Sequence, residues 1–242
     1  MTSDIKLSVN INKVALIRNS REGNNPDLIR FAMDCEEMGA DGITIHPRPD
    51  ERHIRFSDIP LLKEVVTTEL NIEGYPNDRF MEAVLTHLPH QCTLVPDSPS
   101  ALTSDRGWNT IQHQGFLSEV VSALQGAGIR VSIFVDASPD MVEGAKETGA
   151  DRIEFYTGPY AHQYRHDREA AIADHITAAR TAYEIGIGIN AGHDLNLDNL
   201  HYYASNIPGL LEVSIGHGLV IDALYYGLEN VIGMYKRQLK IN

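Results

Sequence analysis

Between Ile45 and Ile54 the sequence places His46, Arg48, Asp50, Glu51, Arg52 and His53 within a few residues of one another. Histidine exchanges protons near neutral pH, and the arginine fork suits carboxylate or phosphate oxygens. Pro47 and Pro49 remove backbone donors, so the apolar run Ile43-Thr44-Ile45 cannot continue through them as a central strand. The strand ends where His46 and Arg48, two positions apart, point to the same side. A charged loop at the carboxyl end of a parallel strand is where α/β folds keep their chemistry. The plainer alternative is a solvated turn whose charges only maintain solubility.

The elements that would position these groups follow from the hydrophobic period. Strand one is Leu7–Asn12, a polar loop covers Arg18–Asn25, and Pro26-Asp27 starts a helix striped by Leu28, Phe31, Ala32, Cys35 and Met38. Gly39 caps it, and Gly39-Ala40-Asp41-Gly42 turns into strand two. Next come a helix at 59–68, strand three at 70–75, a helix at 78–88 and strand four at 91–96. A long Ser-, Pro- and Asp-rich connection, 97–109, has the character of a functional or mobile loop. A helix at 116–125 precedes strand five at 130–136, and Ser138-Pro139-Asp140 starts another helix, with proline early in its first turn. Strand six at 152–156 is followed by a second long loop at 157–168. A helix at 170–185, strand seven at 188–191, a helix at 197–205, strand eight at 211–215 and one helix from 219 to 239 complete the chain. Eight strand–helix units in 242 residues predict an α/β fold, a single (β/α)8 barrel. Extra loop or helical segments follow strands four and six, and the whole chain, 1–242, forms one domain. Glu37-Met38-Gly39-Ala40-Asp41 recurs as Glu147-Thr148-Gly149-Ala150-Asp151, each leading into a strand. A doubly wound open sheet would need a Gly-rich phosphate turn after strand one, and none is there.

Polar residues occupy one parity of these strands: Asn10 and Asn12, then Thr44, His46 and Arg48, then Asn71 and Glu73, then Glu154 and Tyr156. A merely packed barrel would put Val, Ile and Leu there. Four strands aiming such groups toward one mouth predict a polar reaction chamber. Strands seven and eight run into Gly192-His193 and Gly216-His217, where barrels often bind phosphate through a glycine turn and a helix N-terminus. His46, Glu73, Glu154 and His193 form a candidate acid–base set, since crowded or desolvated carboxylates titrate nearer neutrality. The competing readings are structural histidines, with Glu73 balancing Arg48, or a divalent-metal hydrolase using His46, His193, His217 and the two glutamates. Against a metal, strand one carries Asn-Ile-Asn rather than His-x-His, and no His-Glu-x-x-His helix occurs. A non-catalytic barrel that binds a phosphorylated metabolite is a third possibility. The remaining histidines read as surface residues.

Composition sets outer bounds. A formal net charge of −13 with no offsetting basic run argues against nucleic acid or an anionic membrane as partner. Cys35 and Cys92 have no metal-type spacing and read as buried, inert thiols. No apolar run approaches the ~18 residues of a membrane span, and the start has no signal-peptide core. The expectation is a soluble cytoplasmic protein.

Val9-Asn10-Ile11, Arg18-Asn19-Ser20-Arg21, Gly39–His46, Arg52-His53-Ile54, Asn71-Ile72-Glu73, Leu94-Val95-Pro96, Asn190–His193 and Ile215-Gly216-His217 together resemble the pyridoxine 5′-phosphate synthase family from strand one to strand eight. The resemblance implies a (β/α)8 homo-octamer of vitamin B6 biosynthesis that needs neither metal nor organic cofactor. It implies two phosphorylated small-molecule substrates, 1-deoxy-D-xylulose 5-phosphate and 3-amino-2-oxopropyl phosphate. By motif, His46 and Glu73 would be general bases and His193 the general acid, with Glu154 in support. Asn10, Arg21, His193, Asp194, Gly216 and His217 would surround the amino-ketone phosphate. Asn12, Lys13, Arg48, His53 and Thr103 would hold the deoxyxylulose phosphate, with Thr103 on a lid after strand four. The chain departs from the common pattern twice: Asn12-Lys13 stands where many members have Asp-His, and Asp194 replaces a common glycine.

Overall fold

In the computed structural model, which describes residues 4–97 and 104–241, eight parallel strands close in chain order into a barrel. They are β1 (Lys6–Asn10), β2 (Gly42–Ile45), β3 (Leu70–Gly74), β4 (Gln91–Leu94), β5 (Arg130–Val135), β6 (Arg152–Tyr156), β7 (Gly188–His193) and β8 (Leu210–Ile215). Each pairs with its successor, and β8 closes the ring against β1 with Ser8 opposite Ser214. The helices are α1 (Asn12–Asn19), α2 (Leu28–Glu37), α3 (Asp58–Val65), α4 (Asp78–His87), α5 (Gln114–Gly126), α6 (Pro139–Glu147), α7 (Gly158–Gln163), α8 (Arg168–Ile185), α9 (Leu200–Asn206), α10 (His217–Tyr226) and α11 (Leu228–Gln238). The expected (β/α)8 architecture is present.

Strand alternation divides the residues into two sets. Leu7, Val9, Ile43, Ile45, Ile72, Leu94, Ile133, Ile153, Phe155 and Val213 join the helices in the hydrophobic core. The opposite parity is polar and also buried: Ser8, Thr44, Asn71, Thr93, Ser132, Glu154, Asn190 and Ser214. Several of these groups bond one another across the interior, whereas the Ser132 hydroxyl has no hydrogen-bond partner. Ser8 Oγ and Thr44 Oγ1 lie 2.7 Å apart, Asn71 Nδ2 donates to Thr44 Oγ1 at 3.4 Å, and Thr93 Oγ1 donates to Asn71 Oδ1 at 3.1 Å.

The internal repeat has a structural counterpart. Asp41 Oδ2 accepts the Leu7 N–H and Asp151 Oδ2 accepts the Val131 N–H, each at 2.8 Å. Each aspartate fastens the start of the neighbouring strand just before its own strand begins. The glycines two positions earlier, Gly39 and Gly149, have φ of +102° and +86°, where a side chain would be strained.

Four expectations need correction. Strand one stops at Asn10: the Asn10 Oδ1 accepts the Asn12 N–H at 3.1 Å, a local bond that bends the chain into α1. That helix was hidden because Leu16 and Ile17 are exposed and Ile11 at its N-cap offers no capping side chain, so neither stripe nor cap marks it. Arg18 and Asn19, read as loop, are its last residues. The 157–168 loop contains α7, started by Pro159 and anchored by buried Tyr160. The last helix is two, broken at Gly227 with φ +79°. His175, read as surface, is buried in α8 with Nδ1 2.9 Å from the Tyr203 hydroxyl. Cys35 and Cys92 are free and buried, and burial pushes both thiols up, Cys35 to about 12. Among the described residues no helix is long and apolar enough to cross a membrane.

Candidate active site

A cavity of about 540 Å³ opens at the carboxyl ends of the strands, within the ~300–1,000 Å³ usual for small-ligand sites. Asn10, Asn12, Lys13, His46, Arg48, His53, Glu73, Glu154, His193, Asp194, Gly216 and His217 all line it. These residues come from β1, α1, β3, β6, β7, α10 and the loops that follow β2, β7 and β8. Two expected members are not among them. Arg21 is exposed in the turn after α1 and does not line the cavity, and Thr103 lies outside the described residues.

The β2 end is held from the first residue of α1. Pro47 and Pro49 stop the ladder, and the His46 N–H, released from sheet pairing, donates to Asn12 Oδ1 at 2.9 Å. Asn12 therefore spends its carbonyl oxygen on fixing His46. The loop beyond is pinned from α1: Asn19 Nδ2 donates to the carbonyls of Glu51, Arg52 and His53, the last at 2.7 Å. Arg18 is buried, donates to the His53 carbonyl and forks onto Asp58 at 2.8 and 2.9 Å. The Arg-Asn pair of the sequence motif thus builds the loop that carries His53.

His46 Nδ1 and Glu73 Oε2 are 3.9 Å apart, close enough for an ion pair if both were charged. Burial opposes that. It drives the His46 imidazole well below its usual range, helped by Arg48, His53 and Arg52. It drives the Glu73 carboxyl well above its usual range, helped by Glu154 and Asp97 and opposed by Arg48. Desolvation of two charges opposes their mutual attraction, so burial favours the neutral form of each partner. Glu154, desolvated and facing Glu212, is raised to about 8. Thr93 Oγ1 donates to its Oε2 at 3.5 Å and opposes the shift. Gly192 gives Glu154 its room: a Cβ there would lie 2.8 Å from Glu154 Oε1 and 2.7 Å from the Ser214 carbonyl.

Two edges suited to anions flank this centre, one by cations and the other by a helix N-terminus. On one, Lys13, Arg48, Arg52 and His53 line the wall. His53 Nδ1 accepts the Ile54 N–H at 2.9 Å, which leaves Nε2 as the protonated nitrogen of the neutral ring. Burial, then Arg48 and Lys13, lower His53 to about 4, so it meets an anion as a neutral donor. On the other, Gly216 and His217 open α10, whose amide donors and dipole favour an anion. His193 sits beside them with its ring 5.5 Å from that of Tyr156 and near-perpendicular to it.

Sequence reasoning gave no site role to several residues at or beside the cavity. Arg48 Nη2 donates to Asp97 at 2.6 Å, and Ser104 Oγ donates to the same oxygen at 2.6 Å. Asp97 lies three residues past the end of β4, on the carboxyl side of the barrel, and that position was its signal. Phe134 and Tyr156, with ring centroids 5.6 Å apart, form an aromatic wall, and both have the inward parity of their strands. Among the described residues no three His, Cys, Asp or Glu side chains are grouped to hold a metal ion, so His46, His193 and His217 do not form a ligand cluster.

The family described as pyridoxal phosphate biosynthesis protein PdxJ matches residues 7–241. The chain belongs to the PdxJ family. Among its relatives, the pyridoxine 5′-phosphate synthase of Cytophaga hutchinsonii is 60% identical over 235 residues, 97% of this chain and 99% of that one. The enzyme of the same name from Flavobacterium johnsoniae is 57% identical over 235 residues, with the same coverage. As a PdxJ member the chain is an enzyme of vitamin B6 biosynthesis. Solved structures show the fold more widely. A Mycobacterium tuberculosis tryptophan synthase structure aligns with TM-score 0.64 at 13% identity, covering 99% of this chain and 94% of that one. Thiamine phosphate pyrophosphorylase from Pyrococcus furiosus aligns with TM-score 0.63 at 11% identity, covering 98% and 96%.

Proposed function

We propose that this PdxJ member condenses 1-deoxy-D-xylulose 5-phosphate with 3-amino-2-oxopropyl phosphate, giving pyridoxine 5′-phosphate, inorganic phosphate and water. The observation that carries this reading is that His46, Glu73 and His193 line one cavity together with Lys13, Arg48 and His53 and with Gly216 and His217 at the start of α10. Two phosphorylated substrates need two anion sites with proton-transfer groups between them. Lys13, Arg48, His53 and Asn12 serve the deoxyxylulose phosphate. Asn10, His217, the backbone of Gly216 and Asp194, and the N-terminus of α10 serve the amino-ketone phosphate. Arg21 and Thr103 belong to these sets by family motif alone.

Imine formation, elimination and ring closure are successive proton transfers, suited to groups near neutrality in a water-poor chamber. In the resting cavity neutral His46 is the group able to accept a proton and Glu73 the group able to give one. Glu73 acts as a base after it has given up that proton, and Glu154 keeps the negative charge from localising. His193 delivers protons to the leaving groups. No cofactor is needed for these steps. The whole chain works as one domain, in the cytoplasm, as a homo-oligomer of eight. Exposed Leu224 (71%), Tyr225 (80%) and Tyr226 (56%) on α10 favour association.

The test is the purified protein with each substrate alone and with both. Pyridoxine 5′-phosphate and free phosphate forming together, only when both substrates are present, supports the reading. No product over a range of pH, or turnover of one substrate alone, removes it. Native mass spectrometry of the same sample measures the assembly, and any mass other than the octamer's overturns that part.

A further inference from the structure

His193 is held in an uncommon way. It ends β7 opposite Ile215 of β8, yet its φ is +87°, a left-handed conformation that a β-unbranched residue adopts only under constraint from its surroundings. The next residue supplies part of that constraint: His193 Nδ1 and Asp194 Oδ2 are 2.9 Å apart. Tyr156 packs edge-on against the same ring from β6. The ring is thereby fixed on two sides at the cavity wall.

We propose that Asp194 is a positioning residue for His193: its carboxylate holds a proton on Nδ1 and leaves Nε2 to exchange protons with the reacting molecule. This rests on the synthase reading, in which His193 is the general acid. The chemistry is that of an imidazole oriented by a carboxylate. With Nδ1–H committed to Asp194, the neutral ring carries its lone pair on Nε2, and the charged ring is stabilised by the neighbouring negative charge. It also accounts for a carboxylate beside a phosphate pocket. Asp194 is directed to the histidine, and the hydrogen bond from His193 holds its carboxyl below the usual range, so it stays ionised.

The charged and titratable groups around the pair are few and come from several elements. His217 from α10 and Lys13 from α1 both act on Asp194 and favour its charge. From β6 come Tyr156, whose own ionisation Asp194 opposes, and Glu154, which abuts Gly192. Lys13 and His217 therefore balance Asp194, so its charge need not repel a phosphate held by the α10 N-terminus and those same two side chains.

Nitrogen-15 NMR of histidine-labelled full-length protein without substrates, with His193 assigned through His193→Asn, reads the pair directly. In the unsubstituted protein the neutral His193 ring should be the Nδ1–H tautomer. Asp194→Asn keeps an oxygen acceptor, so the tautomer should persist. Asp194→Ala should lose the tautomer preference. In turnover assays Asp194→Ala should lower kcat about tenfold without raising KM for the amino-ketone phosphate, and Asp194→Asn should restore part of the loss. A His193 tautomer indifferent to Asp194→Ala overturns the proposal, as does a change confined to KM. If the ring responds as described but the unsubstituted protein makes no product from the two substrates, the His193–Asp194 pairing stands and the synthase reading falls. Should Asp194→Ala fail to fold, Asp194→Gly takes its place in both measurements, with the same loss expected.

Discussion

At its amino-terminal end the barrel interior closes on Lys6, Glu69, Arg130, Arg152 and Glu212; at its carboxyl end it opens on His46, Glu73, Glu154 and His193. Both ends bury charge-capable groups, and they treat them in opposite ways. At the closed end each acid has a cation. Lys6 Nζ lies 3.4 Å from Glu69, which also pairs with Arg130, and Arg152 reaches Glu212 at 3.2 Å and Asn190 at 3.1 Å. Burial raises Glu212, but Arg152, Arg130 and Lys6 all pull it back. At the open end Glu73 and Glu154 face further carboxylates, and Arg48, the cation that opposes the Glu73 shift, also donates to Asp97. One end of the barrel uses buried charge to close a structure, and the other leaves it uncompensated so that protons can move.

The largest expected contrast is in turnover. Glu73→Gln should reduce kcat by about 10²-fold or more, the usual loss for a general acid–base group. Burial disfavours a charge at this position, so the melting temperature should stay level or rise on substitution by neutral Gln. A large drop in melting temperature with normal turnover would reverse the assignment of the two ends.

Next is stability at the closed end. Glu212→Ala strands Arg152 in the interior and should cost about 3–5 kcal/mol in denaturant unfolding, while kcat in the surviving folded fraction is kept. Replacing Arg152 and Glu212 together by Met should recover most of that loss, because no uncompensated charge then remains. A double variant as unstable as the single one would mean that the ion pair matters in itself.

The pH dependence of stability is a smaller effect with a definite sign. Folded Glu154 keeps its proton to about 8, whereas the unfolded chain loses it near the ordinary 4.5. Between those values the folded state binds more protons, so its stability is greatest below that window and declines as pH rises through it. Glu154→Gln should flatten the decline, and by more than Glu212→Gln does, since the Glu212 shift is opposed by three cations. Urea midpoints across that range measure it, and an unchanged slope in Glu154→Gln would show that Glu154 ionises normally.

Smallest is the supporting loop. Asn19→Ala removes the donor to three carbonyls and should raise KM for the deoxyxylulose phosphate a few-fold, roughly 1 kcal/mol, with little change in kcat. An equal fall in kcat would place that loop in the chemistry rather than in binding.

Much of this was legible in the sequence because strand alternation leaves a two-residue record. Inward Thr44, Asn71, Glu73 and Glu154 could be told from outward Ile43, Ile72 and Ile153 without coordinates. Proline punctuation marked where β2 ends, whereas β7 runs through Gly192 to His193, two residues past the expected Ala191. What could not be read was built by contacts across the chain. The bond from the His46 N–H to Asn12, the pairing of Arg18 with Asp58, and the clamp of Asp97 on Arg48 join residues far apart in sequence with no periodic signature. Helix α1 was hidden for a related reason: its apolar residues do not form one stripe, so its helical state is decided by the Asn10 turn and the groups it supports. The histidines show the same limit, since His175 on a helix looked solvent-facing until Tyr203 was placed beside it.

The difference between the two ends is tested most directly by the protonation state of Glu73 in the substrate-free protein. Carbon-13 titration of the labelled glutamate carboxyls, with the Glu73 signal identified by its loss in Glu73→Gln, reads it residue by residue. The signal should keep the character of a neutral acid to a pH well above the ordinary glutamate value. A Glu73 carboxyl that ionises near the ordinary glutamate value of 4.5 would contradict the account.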